Sequence, residues 1–409
     1  LYRSKTNKPK FGSRWREHFG FTPSLEHDKS GVIWVHAVSV GEVLASKKLV
    51  EMLVSKYPEH QVLVTTTTST GAEQVSKFEL DVIHRYMPID FSWCVKRFLK
   101  SVKPDLLLVI ETEVWPNTLH CVSHFGIPSM LINGRLSKKS AANYQRVRSL
   151  ISPVLNHFER ILTVHADDAK RFENLGVSAS KVIVTGSIKY DVDLELEIAS
   201  KGQELRQTLG EERLVLIAAS THQGEDEQVI HAYKLAKKQI DNLLLVLVPR
   251  HPERFDGVSE MLVSKGLKVT RRSESDNVEV ISDIDVYLGD TMGEMLIMMA
   301  ASDLVFMGGS LIGKKVGGHN FIEPALLSKY CLTGPSYFNF TDLAQQLIDV
   351  DGLKVIQNSK DLGDAIVEGF ENASQSKLRG EAAYDIVLKN RGALKKSLEA
   401  ISLLPLFNQ

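Results

Sequence analysis

Short apolar runs alternate with amphipathic stretches along the first half of the chain. The runs at 32–38, 61–66, 82–86, 106–110, 129–132, 160–164 and 182–184 are rich in Val, Ile and Leu and predict strands. Between them, apolar positions recur at helical spacing over 44–56, 95–102, 117–123, 141–158 and 166–175. This alternation predicts βαβ units and a parallel sheet, because parallel neighbours need a crossover. The continuous runs LLLVI at 106–110 and LLLVLV at 243–248 leave no polar face and predict central strands covered on both sides.

A polar stretch at 191–212 interrupts the pattern and reads as a linker. Beyond it the alternation restarts. Strands are expected at 214–218, 243–248, near Val269, near Val278, at 304–307 and at 330–333. Helices are expected at 227–239, 255–265, 294–301, 321–327 and 341–349, and over most of the chain from Lys360 onward. The fold class is therefore α/β: two doubly wound, Rossmann-like domains, 1–190 and 213–409, facing a central cleft, with the last helix able to pack back on the first domain. In open α/β sheets, ligands bind beyond the carboxyl ends of the strands. The residues just after each apolar run are thus the ones to examine for chemistry.

In the first half, the run 32–38 leads into Ser39-Val40-Gly41-Glu42 and a helix, and 106–110 leads into Glu111-Thr112-Glu113-Val114-Trp115-Pro116. The run 182–184 leads into Gly186-Ser187-Ile188-Lys189. One carboxylate at a helix start has a plain explanation, since Asp and Glu stabilise helix N-termini. Two such strand exits and a lysine at a third point instead to a catalytic group. In the second half the strand exits read Ala219-Ser220-Thr221-His222, Pro249-Arg250-His251-Pro252 and Gly308-Gly309-Ser310, and Gly317-Gly318-His319-Asn320 precedes the helix with Glu323. Small residues and glycines there are expected to leave backbone N–H groups open to an anion. Arg250 adds a forked donor for phosphate, and Glu323 could accept from ribose hydroxyls.

Competing motifs fall short. Gly308 to Lys314 fits the first seven positions of a Walker A loop, but Lys315 stands where the Mg²⁺-binding hydroxyl belongs. No GxGxxG follows a strand, so the dinucleotide fingerprint is missing. The Asp-x-Asp pairs at 191/193, 283/285 and 349/351 do not sit cleanly at strand exits, and no HExxH occurs.

Composition narrows the classes further. The 409 residues carry 49 Lys and Arg against 50 Asp and Glu, a net charge of −1, which argues against a nucleic-acid partner. With 43% hydrophobic and 24% charged residues the chain is an ordinary globular mixture. Cys94, Cys121 and Cys331 form neither a disulfide framework nor a zinc ligand set. No stretch is long and apolar enough to span a bilayer, although the sequence begins at Leu1 and a preceding anchor is conceivable. Its opening residues mix Arg3, Lys5, Lys8, Lys10, Arg14 and Arg16 with Tyr2, Phe11, Trp15 and Phe19, a composition suited to an anionic membrane surface. A second basic cluster, Arg135, Lys138, Lys139, Arg146 and Arg148, contains no acid and could hold lipid phosphates and the membrane surface.

The run Trp34-Val35-His36-Ala37-Val38-Ser39-Val40-Gly41-Glu42 resembles the 3-deoxy-D-manno-octulosonic acid (Kdo) transferases, glycosyltransferase family 30. So do the segments Glu111 to Asn117, Gly186 to Lys189, Pro249 to Phe255, Gly289 to Glu294 and Gly317 to Asn320, collinear over essentially the whole chain. The resemblance implies a glycosyltransferase B-type fold and metal-free, inverting transfer of Kdo. The donor would be CMP-Kdo and the acceptor the 6′-hydroxyl of lipid IVA, in lipopolysaccharide biosynthesis at the cytoplasmic face of the inner membrane of Gram-negative bacteria. By the same resemblance Glu42 is the base, and Glu111 and Lys189 support the transition state. Arg250, His251, Met292, Gly293, Glu294, Asn320 and Glu323 hold CMP, and no cofactor is needed. Family members usually carry a short N-terminal membrane anchor, which this sequence lacks. The alternative is a nucleotide-sugar epimerase, which shares the paired doubly wound domains but uses no lipid acceptor.

Overall fold

The computed structural model describes residues 12–25, 29–194, 196–275, 281 and 283–407. Two compact units divide the chain. The first comprises residues 1–192 and 390–409, the second 193–389.

The first unit holds a seven-stranded parallel sheet in the order β3-β2-β1-β4-β5-β6-β7. Its strands are β1 (Gly31–His36), β2 (His60–Thr66), β3 (Val82–Tyr86), β4 (Leu106–Ile110), β5 (Ser129–Gly134), β6 (Arg160–Thr163) and β7 (Val182–Val184). β4 is apolar throughout, and β1 nearly so, because the two-residue alternation feeds two cores at once. Ile33 and Val35 of β1, with Leu106, Leu108 and Ile110 of β4, enter the core on one face. Val32, Trp34, Leu107 and Val109 enter the core on the other.

The second unit repeats the scheme with β8 (Leu214–Thr221), β9 (Leu243–Pro249), β10 (Val269–Arg271), β11 (Val286–Leu288), β12 (Leu304–Met307), β13 (Tyr330–Thr333) and β14 (Leu353–Val355). Their order is β10-β11-β9-β8-β12-β13-β14, again all parallel. In each sheet the first strand lies beside a strand that comes much later, so the connections leave in opposite directions. That reversal opens a crevice at the strand ends. In the first unit it lies between the exits of β1 and β4; in the second, between those of β8 and β12.

Several expectations need correction. The stretch 191–212 is not a bare linker, because it contains the helix Leu196–Leu209 of the second unit. Ile198, Leu205 and Leu209 supply its buried stripe, and Gly202 lets it approach Ala300 closely. The second unit ends at 389 rather than 409, and the segment from 390, with the last helix that was expected to be able to pack back, belongs to the first unit. There Asp191 accepts from Gly392 N and Leu394 N, both at 2.6 Å, and so caps the helix Ala393–Ser402. The single helix expected over 141–158 is two, Lys138–Arg146 and Arg148–Leu155, separated at Val147, whose φ of −121° and ψ of 31° leave the helical region. The strand expected near Val278 lies outside the described residues, as do the leader positions Tyr2, Arg3, Lys5, Lys8, Lys10 and Phe11. Arg14 is committed to the fold, donating to Glu17 Oε2 at 2.7 Å and to the His84 carbonyl at 2.9 Å. Among the described residues no helix is long and apolar enough to cross a membrane.

Candidate active site

At the crevice of the first sheet, Glu42 occupies the first turn of the helix Val40–Lys56. Ser39 is the N-cap and its hydroxyl accepts from Glu42 N at 3.3 Å. The carboxylate reaches back in return: Val38 N donates to Oε2 at 2.7 Å and Ser39 Oγ to Oε1 at 2.8 Å. This is a capping box, so the helix start itself fixes the carboxylate. Glu42 is only 9% exposed. Burial pushes its carboxyl above the usual range against the pull of those hydrogen bonds, and the neighbouring Glu111 charge adds to the rise.

Across the crevice, β4 ends in Glu111, a non-glycine residue at φ 59°. A left-handed backbone costs about 1–2 kcal/mol at such a residue and is tolerated where the surroundings hold it. The turn aims the Glu111 carboxylate at Lys189, whose Nζ lies 2.7 Å from Oε1. The two residues expected to support the transition state thus form an ion pair, which joins the exits of β4 and β7. Lys189 itself is anchored by its neighbours. Ile188 N donates to Asn133 Oδ1 at 3.2 Å, and Ile188 packs with Ala393 and Leu394 of the C-terminal helix.

Glu113 belongs to this group as well and was missing from the expected site. Burial raises its carboxyl, and the charges of Glu42 and Glu111 raise it further, while Trp115 Nε1 donates to it at 3.2 Å. Only its place in the Glu-Thr-Glu run could have flagged it. Glu42, Glu111 and Glu113 share this crevice with Lys189, an arrangement that favours the neutral form of Glu42 and Glu113. The basic cluster joins the same neighbourhood through two links. Arg135 N donates to Thr112 Oγ1 at 2.9 Å. Tyr144, on the helix Lys138–Arg146, is buried enough to raise its phenol and feels the Glu113 charge. That helix buries none of its residues fully, and Lys138, Lys139, Arg146 and Arg148 are exposed beside Val147 and Leu150.

Replacing Lys189 by Met should leave Glu111 uncompensated beside two other acids. Stability should fall little, by ~0–1 kcal/mol for a partly exposed pair. The acid limb of the kcat/KM profile should move to higher pH, with a loss on the order of tenfold at neutral pH that shrinks as pH rises. A loss that stays constant up to alkaline pH would place Lys189 on the reacting groups rather than on Glu111.

In the second unit, β8 and β12 end around Ser220, at φ 58°, and Gly309, at φ 70°. The glycine loop does not present open N–H groups, contrary to expectation. Glu225, 0% exposed, fills it: its carboxylate accepts from Gly309 N at 2.6 Å, Ser310 N and Leu311 N at 2.9 Å, and His222 N at 3.2 Å. Gly318 N is also used, donating to the Gly309 carbonyl at 3.0 Å. The Walker-like stretch therefore cannot cradle a phosphate.

The expected nucleotide residues fall into two networks. Arg250 and His251 leave β9 next to His222 and His319, and the rings of His222 and His251 meet edge to face at 5.3 Å. Asn320 Nδ2 donates to Glu323 Oε1 at 3.2 Å, and its Oδ1 accepts from Ile322 N at 3.1 Å. Burial raises the Glu323 carboxyl against the pull of Asn320 and of the Arg250 charge. Met292, Gly293 and Glu294 belong to the other network. Burial alone would raise Glu294, but Arg272, at 2.8 Å, and Thr291 hold it below the carboxylate range. Met292 is 68% exposed, and Gly293, at φ 88°, turns the chain in a conformation that favours glycine.

Comparison with known proteins gives these groups a context. The family profile described as 3-Deoxy-D-manno-octulosonic-acid transferase (kdotransferase) matches residues 13–192. A 3-deoxy-D-manno-octulosonic acid transferase of Haemophilus influenzae is 36% identical over 96% of this chain and 92% of its own length. The chain belongs to the Kdo transferase family. A Bordetella pertussis transferase is 32% identical over 90% of this chain and 86% of its own. Among solved structures, UDP-GlcNAc 2-epimerase from Neisseria meningitidis bound to UDP-GlcNAc superposes with a TM-score of 0.58, covering 90% of this chain and 99% of that one at 15% identity. The epimerase likeness is one of fold, a glycosyltransferase B-type pair of Rossmann-like domains, and the sequence relationship is to the transferases. The Kdo transferase family comprises glycosyltransferases of lipopolysaccharide biosynthesis, and epimerisation is not favoured for this member.

Proposed function

We propose that this Kdo transferase moves Kdo from CMP-Kdo to the 6′-hydroxyl of lipid IVA with inversion and without a metal cofactor. The observation that carries the reading is Glu42, a buried carboxylate fixed by its own helix start and raised in pKa beside Glu111 and Glu113. A sugar hydroxyl is a weak nucleophile, so a base must take its proton as the new bond forms. A carboxylate displaced upward towards neutrality suits that task better than an ordinary one. Kdo departs from CMP as the C2–O bond breaks and its electron pair stays on the phosphate. That growing charge needs fixed positive groups, a role the reading gives to Arg250, with Asn320 and Glu323 on the ribose and 292–294 near the base. Mass spectrometry of lipid IVA incubated with the protein and CMP-Kdo tests the assignment. A Kdo adduct should form only when the lipid is present; consumption of CMP-Kdo at the same rate without lipid would overturn it.

The acceptor reading places lipid phosphates and the anionic inner-membrane surface, on its cytoplasmic side, against Arg135, Lys138, Lys139, Arg146 and Arg148. Support comes from their exposure, from the absence of acids among them, and from Val147 and Leu150 exposed beside them. Each basic group near an anionic surface contributes ~1 kcal/mol. Reversing two charges, as in the K138E/R146E double variant, should thus weaken binding to vesicles rich in phosphatidylglycerol by roughly two orders of magnitude or more at low salt. Binding that ignores both the substitutions and the salt concentration would assign the membrane contact elsewhere.

A further inference from the structure

His222 and His319 sit in the second unit with Nε2 facing Nε2 at 2.8 Å, their rings end to end and nearly coplanar, with centroids 5.1 Å apart and planes 7° from parallel. A contact of that length between two imidazole nitrogens is an N–H···N hydrogen bond, which holds one proton and only one. Two protons would set two donors against each other. The pair is built in: His222 follows β8, and its backbone N–H is held by buried Glu225. Gly309 leaves room for the His319 ring, since a Cβ there would come within 2.9 Å of it. Around the pair stand His251, Arg250 and Arg254, and the acids nearby are engaged elsewhere. Glu225 is on the glycine loop, Asp226 on Arg254, and Glu323 on Asn320. Burial first, and then neighbours that include Arg250, lower both imidazoles to about 4. The site therefore collects positive charge and polar nitrogen around a pair kept neutral. Among the described residues no group of His, Cys, Asp or Glu is arranged to hold a metal ion, and these two nitrogens meet each other directly rather than converge on a shared point.

An arriving anion reverses the balance. A phosphate beside Arg250 cancels the field that keeps the pair neutral and favours an added proton. The added proton breaks the N–H···N bond, and the freed N–H turns to the phosphate. We propose that the His222–His319 pair is the phosphate receptor of the second unit, taking one proton from solvent and opening as the nucleotide phosphate binds. This rests on the reading of CMP-Kdo as donor and deepens it: the same pair would meet the negative charge that develops on the phosphate when Kdo leaves.

The test is calorimetric titration of the full chain with CMP at pH 7.5 in buffers of different ionisation enthalpy, which counts protons exchanged on binding. We expect uptake of up to about one proton per CMP for the parent protein, and none for cytidine, which lacks the phosphate. His222→Gln and His319→Gln keep a hydrogen-bonding side chain but cannot be protonated. Each should bind CMP on the order of tenfold more weakly and lose the proton uptake, while a merely structural role would be rescued by glutamine. Binding of CMP without proton uptake, or uptake that persists in both variants or with cytidine, overturns the receptor and leaves the nucleotide reading standing. A folded protein that binds no CMP overturns both.

Discussion

Glu42→Gln should reduce turnover by ~10²–10⁴-fold, the usual contribution of a positioned general base. Glutamine is the informative replacement because the carboxylate has a second task. It accepts from Val38 N and Ser39 Oγ, and an amide can still accept from the first and donate to the second. The helix Val40–Lys56 should therefore start normally, whereas Glu42→Ala would also lose a cap contribution of ~1 kcal/mol. CMP affinity should be unchanged, since the site proposed for it belongs to the second unit. The pH profile adds an independent check. The base works only when ionised, and burial raises its pKa, so kcat/KM should fall as pH drops through a value above the ordinary glutamate range. A variant with parent-like turnover and an unchanged acid limb would reduce Glu42 to a helix cap.

The legible part of this chain was what repeats. Apolar runs gave β4, β12 and β13 to the residue because these strands are buried along their whole length, and gave the edge strands β3 and β7 through their Val and Ile residues. β11 and β14 were missed: a three-residue run carries no periodicity of its own and is selected by the neighbouring strand, and β7, equally short, stood out only because all three of its residues are Val or Ile. Helix Leu196–Leu209 was hidden because its apolar stripe is diluted by ten polar, charged or small residues whose faces meet solvent. At the site, Glu42, Glu111 and Lys189 could be singled out from their positions after strands, but the ion pair of the last two could not, since it depends on how the sheet brings β4 and β7 together. Glu113 was not, since its role depends on charge neighbours that only the folded crevice assembles. Nor could sequence show which anion fills the glycine loop. A run of glycines advertises open N–H groups, and the carboxylate that takes them, Glu225, lies more than eighty residues earlier in the chain.

That internal anion sets the largest stability effect expected. Glu225→Ala should leave four backbone N–H groups, those of His222, Gly309, Ser310 and Leu311, without their acceptor in a buried place. Each unsatisfied buried donor costs about 1–3 kcal/mol, and water entering the vacated space recovers part of it. A net loss of roughly 3–5 kcal/mol follows, which for a unit of this size lowers the Tm by roughly 6–20 °C. Glu225→Gln should be less severe, keeping one oxygen for two of the donors while its amide faces the others. Calorimetry resolves the second unit's transition and checks the order. The variant also distinguishes filling from cradling. If the loop is an anion nest closed by its own carboxylate, emptying it should create an anion site. Inorganic phosphate should then raise the Tm of the alanine variant by mass action more than that of the parent protein. An equal response in both would mean that the loop collapses once Glu225 is gone and that its N–H groups find other partners.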